Sequence, residues 1–187
     1  FIRNGGKMQM ITSVVLSQQD KEAIEQGLDP KEMSGDFLKE LEDLDDNGYT
    51  KLHVKILGWM IKKGLLEIKI ADVPIDYATF HMKIGILEDE NDLASDGKPS
   101  AVSFNGSVNE TKYGLKHNSE FIDVFSSWDE GQRWQKGHYD VFEKHWTGSG
   151  LLNSKVYDLP SAIRDGIIKI APENEVELGK VCDKAES

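Results

Sequence analysis

His81 and Lys83 stand two residues apart in a run, Thr79 to Leu87, where Phe80, Met82, Ile84 and Ile86 alternate with His81, Lys83 and Gly85. That alternation predicts a strand, and a period of two sends both side chains to one face. Further on, Phe104-Asn105-Gly106-Ser107-Val108-Asn109 reads as a strand ending in a glycine turn, with Ser107 and Asn109 on one side. Glu120 opens the next predicted strand. Together these residue types suit a phosphate. Lysine is a point cation for a phosphoryl oxygen, and serine and asparagine are neutral donors. A carboxylate can fix one imidazole nitrogen so that the other attacks. A His-x-Lys pair on a strand is common by itself. The second run and Glu120 are what make it a candidate active site.

The elements that must position these residues alternate between strand and helix. Lys7 to Val15 is a predicted strand. Ser17 is a predicted N-cap for a helix over Asp20 to Gln26, stopped by Gly27. A second, acidic helix is expected at about Gly35 to Leu44. Leu52, Ile56, Leu57, Met60 and Ile61 form the stripe of a third, ending at Gly64. Strands are expected over Leu66 to Ala71, Ala101 to Phe104 and Glu120 to Phe125, with a polar loop from Glu88 to Pro99. Trp128 to Trp146 and Pro160 to Ile170 read as helices, and the acidic end as solvated chain. The pattern predicts an α/β fold, one mixed β-sheet with helices on both faces. His81 and Lys83 are expected on one central strand and Glu120 on a neighbour. The expected organisation is a domain over 1–150, followed by a C-terminal helix and linker over 151–187 leading toward a further domain. Phe1-Ile2-Arg3-Asn4-Gly5-Gly6 reads as the capped end of a helix, so a helix and a strand are expected upstream.

His81-Met82-Lys83, four residues, then Glu88 resembles the His-x-Lys-x4-Asp motif of the phospholipase D superfamily. Gly106-Ser107-Val108-Asn109 is similar to its Gly-Ser-x-Asn companion. Glu120 stands where single-motif bacterial nucleases of that superfamily place a glutamate. The wider string, through Ser127-Trp128 and Phe142 to Trp146, resembles modules attached to superfamily 2 DNA helicase or restriction-type proteins. Glu88 departs from the motif aspartate, the interval from His81 to Ser107 is long for a compact nuclease, and only one motif copy is present.

The resemblance implies a phospholipase D/nuclease-like fold and metal-independent cleavage of DNA through a phosphohistidine, with no cofactor. His81 would be the nucleophile or, from the partner chain, the general acid. Lys83, Ser107 and Asn109 would hold the phosphoryl oxygens, Glu120 would orient an imidazole, and Glu88 and Gly106 would be structural members of the motif. One motif copy implies a homodimer with a shared site. An ATPase or helicase domain is expected in the same full-length chain.

Composition narrows the field further. With 22 basic and 33 acidic residues the net charge is −11, which disfavours non-specific attraction to nucleic acid or anionic membrane. Screening limits charge effects to about 10 Å, so a local basic groove is compatible with that balance. The single cysteine, Cys182, excludes a disulfide framework and a cysteine-based zinc site within one chain. No apolar stretch reaches the roughly 18 residues a membrane span needs, and no signal peptide is evident, so a cytoplasmic location is expected. His53, His117, His138 and His145 lack metal-ligand spacing and read as surface or partly packed residues. Trp128, Trp134, Phe142 and Trp146 read as core rather than as a base-stacking platform. Lys112, Lys116 and Arg133 read equally as groove lining or ordinary surface charge. Two further function classes are a non-catalytic DNA- or phosphate-binding module of a helicase and a phospholipase or phosphatidyltransferase. The last is weakened by the single motif and by the absence of a basic amphipathic helix.

Overall fold

The computed structural model describes residues 6–13, 16–44, 48–73, 82, 84–93, 97, 99–106, 122–148 and 154–186. Its elements are mixed α and β, with two three-stranded sheets and six helices among the described residues. The expectation of one sheet is therefore corrected. The chain forms two compact units, one of Phe1–Asp72 with Tyr157–Ser187 and the other of Val73–Val156. The segment from Tyr157 onward belongs to the same unit as the N-terminal part.

In the first unit, β1 (Met8–Ser13) pairs in parallel with β2 (Leu66–Asp72), Met8 opposite Leu66 and Ser13 opposite Ala71. A parallel pair needs a long crossover, and three helices supply it: α1 (Gln18–Glu25), α2 (Lys31–Asp43) and α3 (Tyr49–Lys62). Ser17 caps α1 as expected, its Oγ accepting from Asp20 N at 3.2 Å. Gly64 ends α3 at φ +67°. Its N–H donates to Ile61 O and that of Leu65 to Met60 O, at 3.0 and 2.8 Å. This paired closure needs a left-handed residue, which glycine takes without strain. α2 begins earlier than the sequence suggested, at Lys31 directly after Pro30.

β6 (Lys155–Asp158) lies beside β2 as the third strand. It was not anticipated, nor was α6 (Glu175–Glu186), where the acidic end was expected to be solvated chain. The expected helix after Pro160 is present as α5 (Ser161–Lys169). The core of this unit comprises Leu52, Trp59, Met60, Leu66, Ile70, Ile163 and Ile167. Both proline-led helices borrow their caps. Asp20 serves α2, accepting from the amides of Glu32 and Met33. Asp29 serves α5, accepting from Ser161 N and Oγ at 2.9 and 2.7 Å. The Ser161 hydroxyl bond is the main reason that the Asp29 carboxyl is held below its usual pKa.

α3 crosses α5 closely at Gly58, where an added Cβ would lie 2.6 Å from the Ile167 carbonyl oxygen. Gly58→Ala is therefore expected to destabilise the protein. Backbone must shift at a cost of about 1–3 kcal/mol, which exceeds the roughly 1 kcal/mol that alanine contributes as the better helix former. Gly137, also within a helix, meets nothing within 4 Å, and Gly137→Ala should stabilise by about 0.5–1 kcal/mol. Urea denaturation of the two variants checks both signs.

In the second unit, β3 (Ile84–Leu93), β4 (Pro99–Gly106) and β5 (Ile122–Ser126) form an antiparallel meander with β4 in the middle. Ile84 lies opposite Asn105, and Gly106 opposite Ile122. The expected loop from Glu88 is instead the outer half of β3, paired with β4 through Asp89 and again at Leu93, with an irregularity between them. Its acidic residues are solvent-exposed on an edge strand, where charge discourages further pairing. Among the described residues β3 is an outer strand of the meander, and His81 and Lys83, expected on a central strand, lie outside the described residues. α4 (Gln132–Trp146) packs on one face of the meander. The other face is open at Leu87, Ile122 and Val124, so helices on both faces are not observed among the described residues.

Candidate active site

β4 presents Ser103 and Asn105 to α4, two residues apart and hence on one face. Between them stands His138. Its Nδ1 is 2.8 Å from Ser103 Oγ, and its Nε2 is 3.0 Å from Asn105 Nδ2. Ser103 is fully buried. Phe125 of β5 meets the imidazole edge-on at 5.5 Å between ring centres. A neutral imidazole has one donor and one acceptor nitrogen. With Asn105 donating to Nε2, Nδ1 carries the hydrogen and donates to Ser103. Burial lowers the pKa of His138, and the carboxylate of Asp123 on β5 opposes that shift. The net direction of the shift favours the neutral ring.

The stripe that α4 turns inward is Gln135, His138, Phe142 and His145, at spacings of three, four and three. Gln135 and His145 are buried, and among the described residues of this unit Ala101 is the one hydrophobic residue buried to the same degree. A polar interior must be hydrogen-bonded to be stable. Ala101 N donates to Ser127 Oγ at 2.9 Å, and His145 Nδ1 lies 3.3 Å from Ser154 Oγ. His145, expected at the surface or partly packed, is thus fully enclosed, and burial lowers its pKa. His53 is half-buried, with Nδ1 2.7 Å from Tyr49 O.

The tryptophans divide. Phe142 and Trp146 stack at 5.7 Å and are half-buried. Trp128 and Trp134 are 61% and 57% exposed, so their assignment to the core is corrected. Trp128 lies in the turn before α4, and Trp134 flanks the inward stripe, with the Arg133 guanidinium 5.6 Å from its ring.

No family model, curated protein or solved structure matches this chain.

Of the residues the motifs single out, His81, Lys83, Ser107, Asn109 and Glu120 lie outside the described residues, as do His117, Lys112 and Lys116. Gly106 is the last residue of β4. Glu88 lies on β3 opposite Ala101. Glu88 is exposed by surface area, but desolvation by its neighbours raises the pKa of its carboxyl, and the like charges of Glu143 and Glu90 add to that. Glu88, Tyr139 and Glu143 make an acidic patch in which the Tyr139 phenol also titrates high, chiefly through burial. Gly85 and Phe104 face each other across β3 and β4, and a Cβ at Gly85 would overlap the Phe104 ring. Among the described residues, no group of three or more His, Cys, Asp or Glu is placed to hold a metal ion, and no helix is long and apolar enough to cross a membrane.

His138, expected at the surface or partly packed, is half-buried, and its helical register with Phe142 and His145 is the sequence signal for its place on the inward face.

Proposed function

We propose that this chain is a metal-independent phosphodiesterase of the phospholipase D superfamily, a nuclease module that cuts DNA within a larger helicase- or restriction-like protein of the cytoplasm. The observation that carries the reading is the pairing of the meander. Ile84 sits opposite Asn105, and Gly106 opposite Ile122. The strand ends that lead in sequence to Lys83, Ser107 and Glu120 are therefore the same end of one sheet. Three strand ends far apart in sequence meet there, which supports a common phosphate site formed by the residues adjoining them.

In this proposal His81 Nε2 attacks phosphorus in line, and the bond from phosphorus to the leaving oxygen breaks. The leaving oxygen takes a proton from a second histidine, the His81 of a partner chain. Water, giving a proton back to that histidine, then cleaves the phosphorus–nitrogen bond and restores both groups. Lys83, Ser107 and Asn109 hold the non-bridging oxygens, and Glu120 orients an imidazole. A homodimer supplies two histidines from one motif.

The deciding experiment incubates labelled single- and double-stranded DNA with the protein in excess EDTA. Cleavage is the expected result. Binding without cleavage would replace the enzyme by the non-catalytic helicase module. Hydrolysis of phosphatidylcholine vesicles with no action on DNA would make it the phospholipase.

A further inference from the structure

We infer that Trp128 and Trp134, at the N-terminal end of α4, form a stacking surface for the unpaired bases of single-stranded DNA. The choice of DNA as the ligand rests on the phosphodiesterase reading, to which the two indoles add strandedness.

Trp128 is 61% and Trp134 57% exposed, although tryptophan is ordinarily among the more buried residues. The backbone that carries Trp128 is tied on both sides of it. Ser127 is buried, its N–H donating to Ala101 O at 2.8 Å and its Oγ accepting from Ala101 N at 2.9 Å. Asp129 accepts from Gly131 N through its carboxylate at 2.6 Å and from Gln132 N through its carbonyl at 3.1 Å. Trp134, on the first turn of α4, rests against Phe125 at 6.1 Å between ring centres. The helix surface beside it is open, because a Cβ at Gly137, three residues on, would meet nothing within 4 Å. Both rings are thus held in place while most of their surface faces water, which lowers the ordering cost of stacking on them.

The surroundings decide between ligands. A protein interface would place its aromatic anchors within a contiguous apolar patch. Here the exposed neighbours are Asp129, Glu130, Gln132, Arg133 and Lys136. Single flat rings among polar side chains suit flat ligands taken one at a time. Unstacked bases present such faces, and the bases of a duplex, already stacked on each other, do not. Charge is nearly balanced, since Arg133 and Lys136 stand against Asp129 and Glu130, and Lys136 is paired with Asp140 at 2.8 Å. Stacking therefore supplies most of the affinity. Arg133, its guanidinium 5.6 Å from the Trp134 ring, is the cation for an adjoining phosphate.

The test measures binding of a labelled oligothymidylate of about 12 nucleotides by fluorescence anisotropy. The full chain carrying His81→Ala is the parent, so that the probe stays intact, and circular dichroism verifies each fold. Trp128→Ala and Trp134→Ala are each expected to weaken binding about tenfold, and the double variant about 100-fold. Trp134→Phe keeps a ring and should stay within about threefold of the parent. A duplex containing the same strand should bind at least about tenfold more weakly. Raising salt from roughly 50 to 200 mM should cost less than about tenfold, because few phosphates are neutralised.

A parent that binds no single strand overturns the stacking surface, and so do folded alanine variants that bind as the parent does. Neither result touches cleavage of duplex DNA by the wild type, which tests the phosphodiesterase reading separately. Binding of cellohexaose that is lost in the alanine variants, with none of DNA, would make the indoles a sugar platform and overturn the inference. Single strands held through both tryptophans by a wild type that never cuts DNA would leave the surface standing and overturn the phosphodiesterase. Trp128 is the more exposed of the two, so Trp128→Ala decides should Trp134→Ala fail to fold.

Discussion

Replacing His81 by alanine is expected to abolish DNA cleavage in EDTA, with a loss of roughly 10⁴-fold or more, while melting is unchanged. The magnitude follows from the proposed roles. In a covalent mechanism the nucleophile is not one contributor among several, since without it the phosphorus–nitrogen bond never forms. In a symmetric dimer the same substitution also deletes the acid, so both halves of the in-line displacement fail together. His81→Asn keeps size and polarity and should be equally inactive. Mixing chains then tests whether the site is shared. If both histidines of one site are required and chains exchange freely, an equal mixture of wild type and His81→Ala should retain about one quarter of wild-type activity. About one half would mean that each chain works alone. A His81→Ala protein that still cuts at a comparable rate removes the motif from the chemistry altogether.

Local features were the most legible part of this chain. Ser17, Gly27 and Gly64 were read as a helix start and two helix stops, and in the structure each lies at such a terminus. These signals act within one turn of backbone, so the sequence around them contains the whole cause. Features that depend on distant partners were not legible. Glu88 to Leu93 is polar and acidic, and nothing local marks it as strand; pairing with β4 overrides its composition. α2 starts directly after Pro30, ahead of the expected Gly35, because the Asp20 carboxylate is available to its first amides.

The inward face of α4 differs from the expectation for a related reason. Hydrophobicity favours burial of Trp134, but β4 presents Ser103 and Asn105 to the helix, and His138 is the α4 residue that hydrogen-bonds to both. The expected phosphate site rests on its motifs, and its principal residues lie outside the described ones. Asn105 and Gly106 belong to a run quoted for its resemblance, while His138, thirty-two residues beyond Gly106, carries no motif and becomes visible only once β4 and α4 are packed.

Asp20→Ala is expected to lower global stability by about 2–3 kcal/mol, the largest stability loss from a single substitution proposed for this protein. The Asp20 side chain is buried, with 3% of its surface exposed, and it accepts from Glu32 N at 3.1 Å and Met33 N at 3.0 Å. Those amides belong to the first turn of α2, and Pro30 at the cap contributes no side-chain bond of its own. A helix begins with unpaired N–H groups, and burying two of them without an acceptor costs far more than a lost surface contact. The carboxylate also places negative charge at the positive end of the helix, which favours it further. Alanine removes both effects and leaves a small void between α1 and α2. Asp20→Asn retains one acceptor oxygen but turns an N–H toward the second amide, so an intermediate loss is expected. Asp36, exposed on the same helix, is the control, and its alanine variant should change stability by less than about 0.5 kcal/mol. Urea titrations at pH 7 give the comparison, with unchanged m-values showing that the folded and unfolded states remain comparable. If Asp20→Ala proves no less stable than Asp36→Ala, α2 does not depend on a borrowed cap, and its start after Pro30 must have another cause.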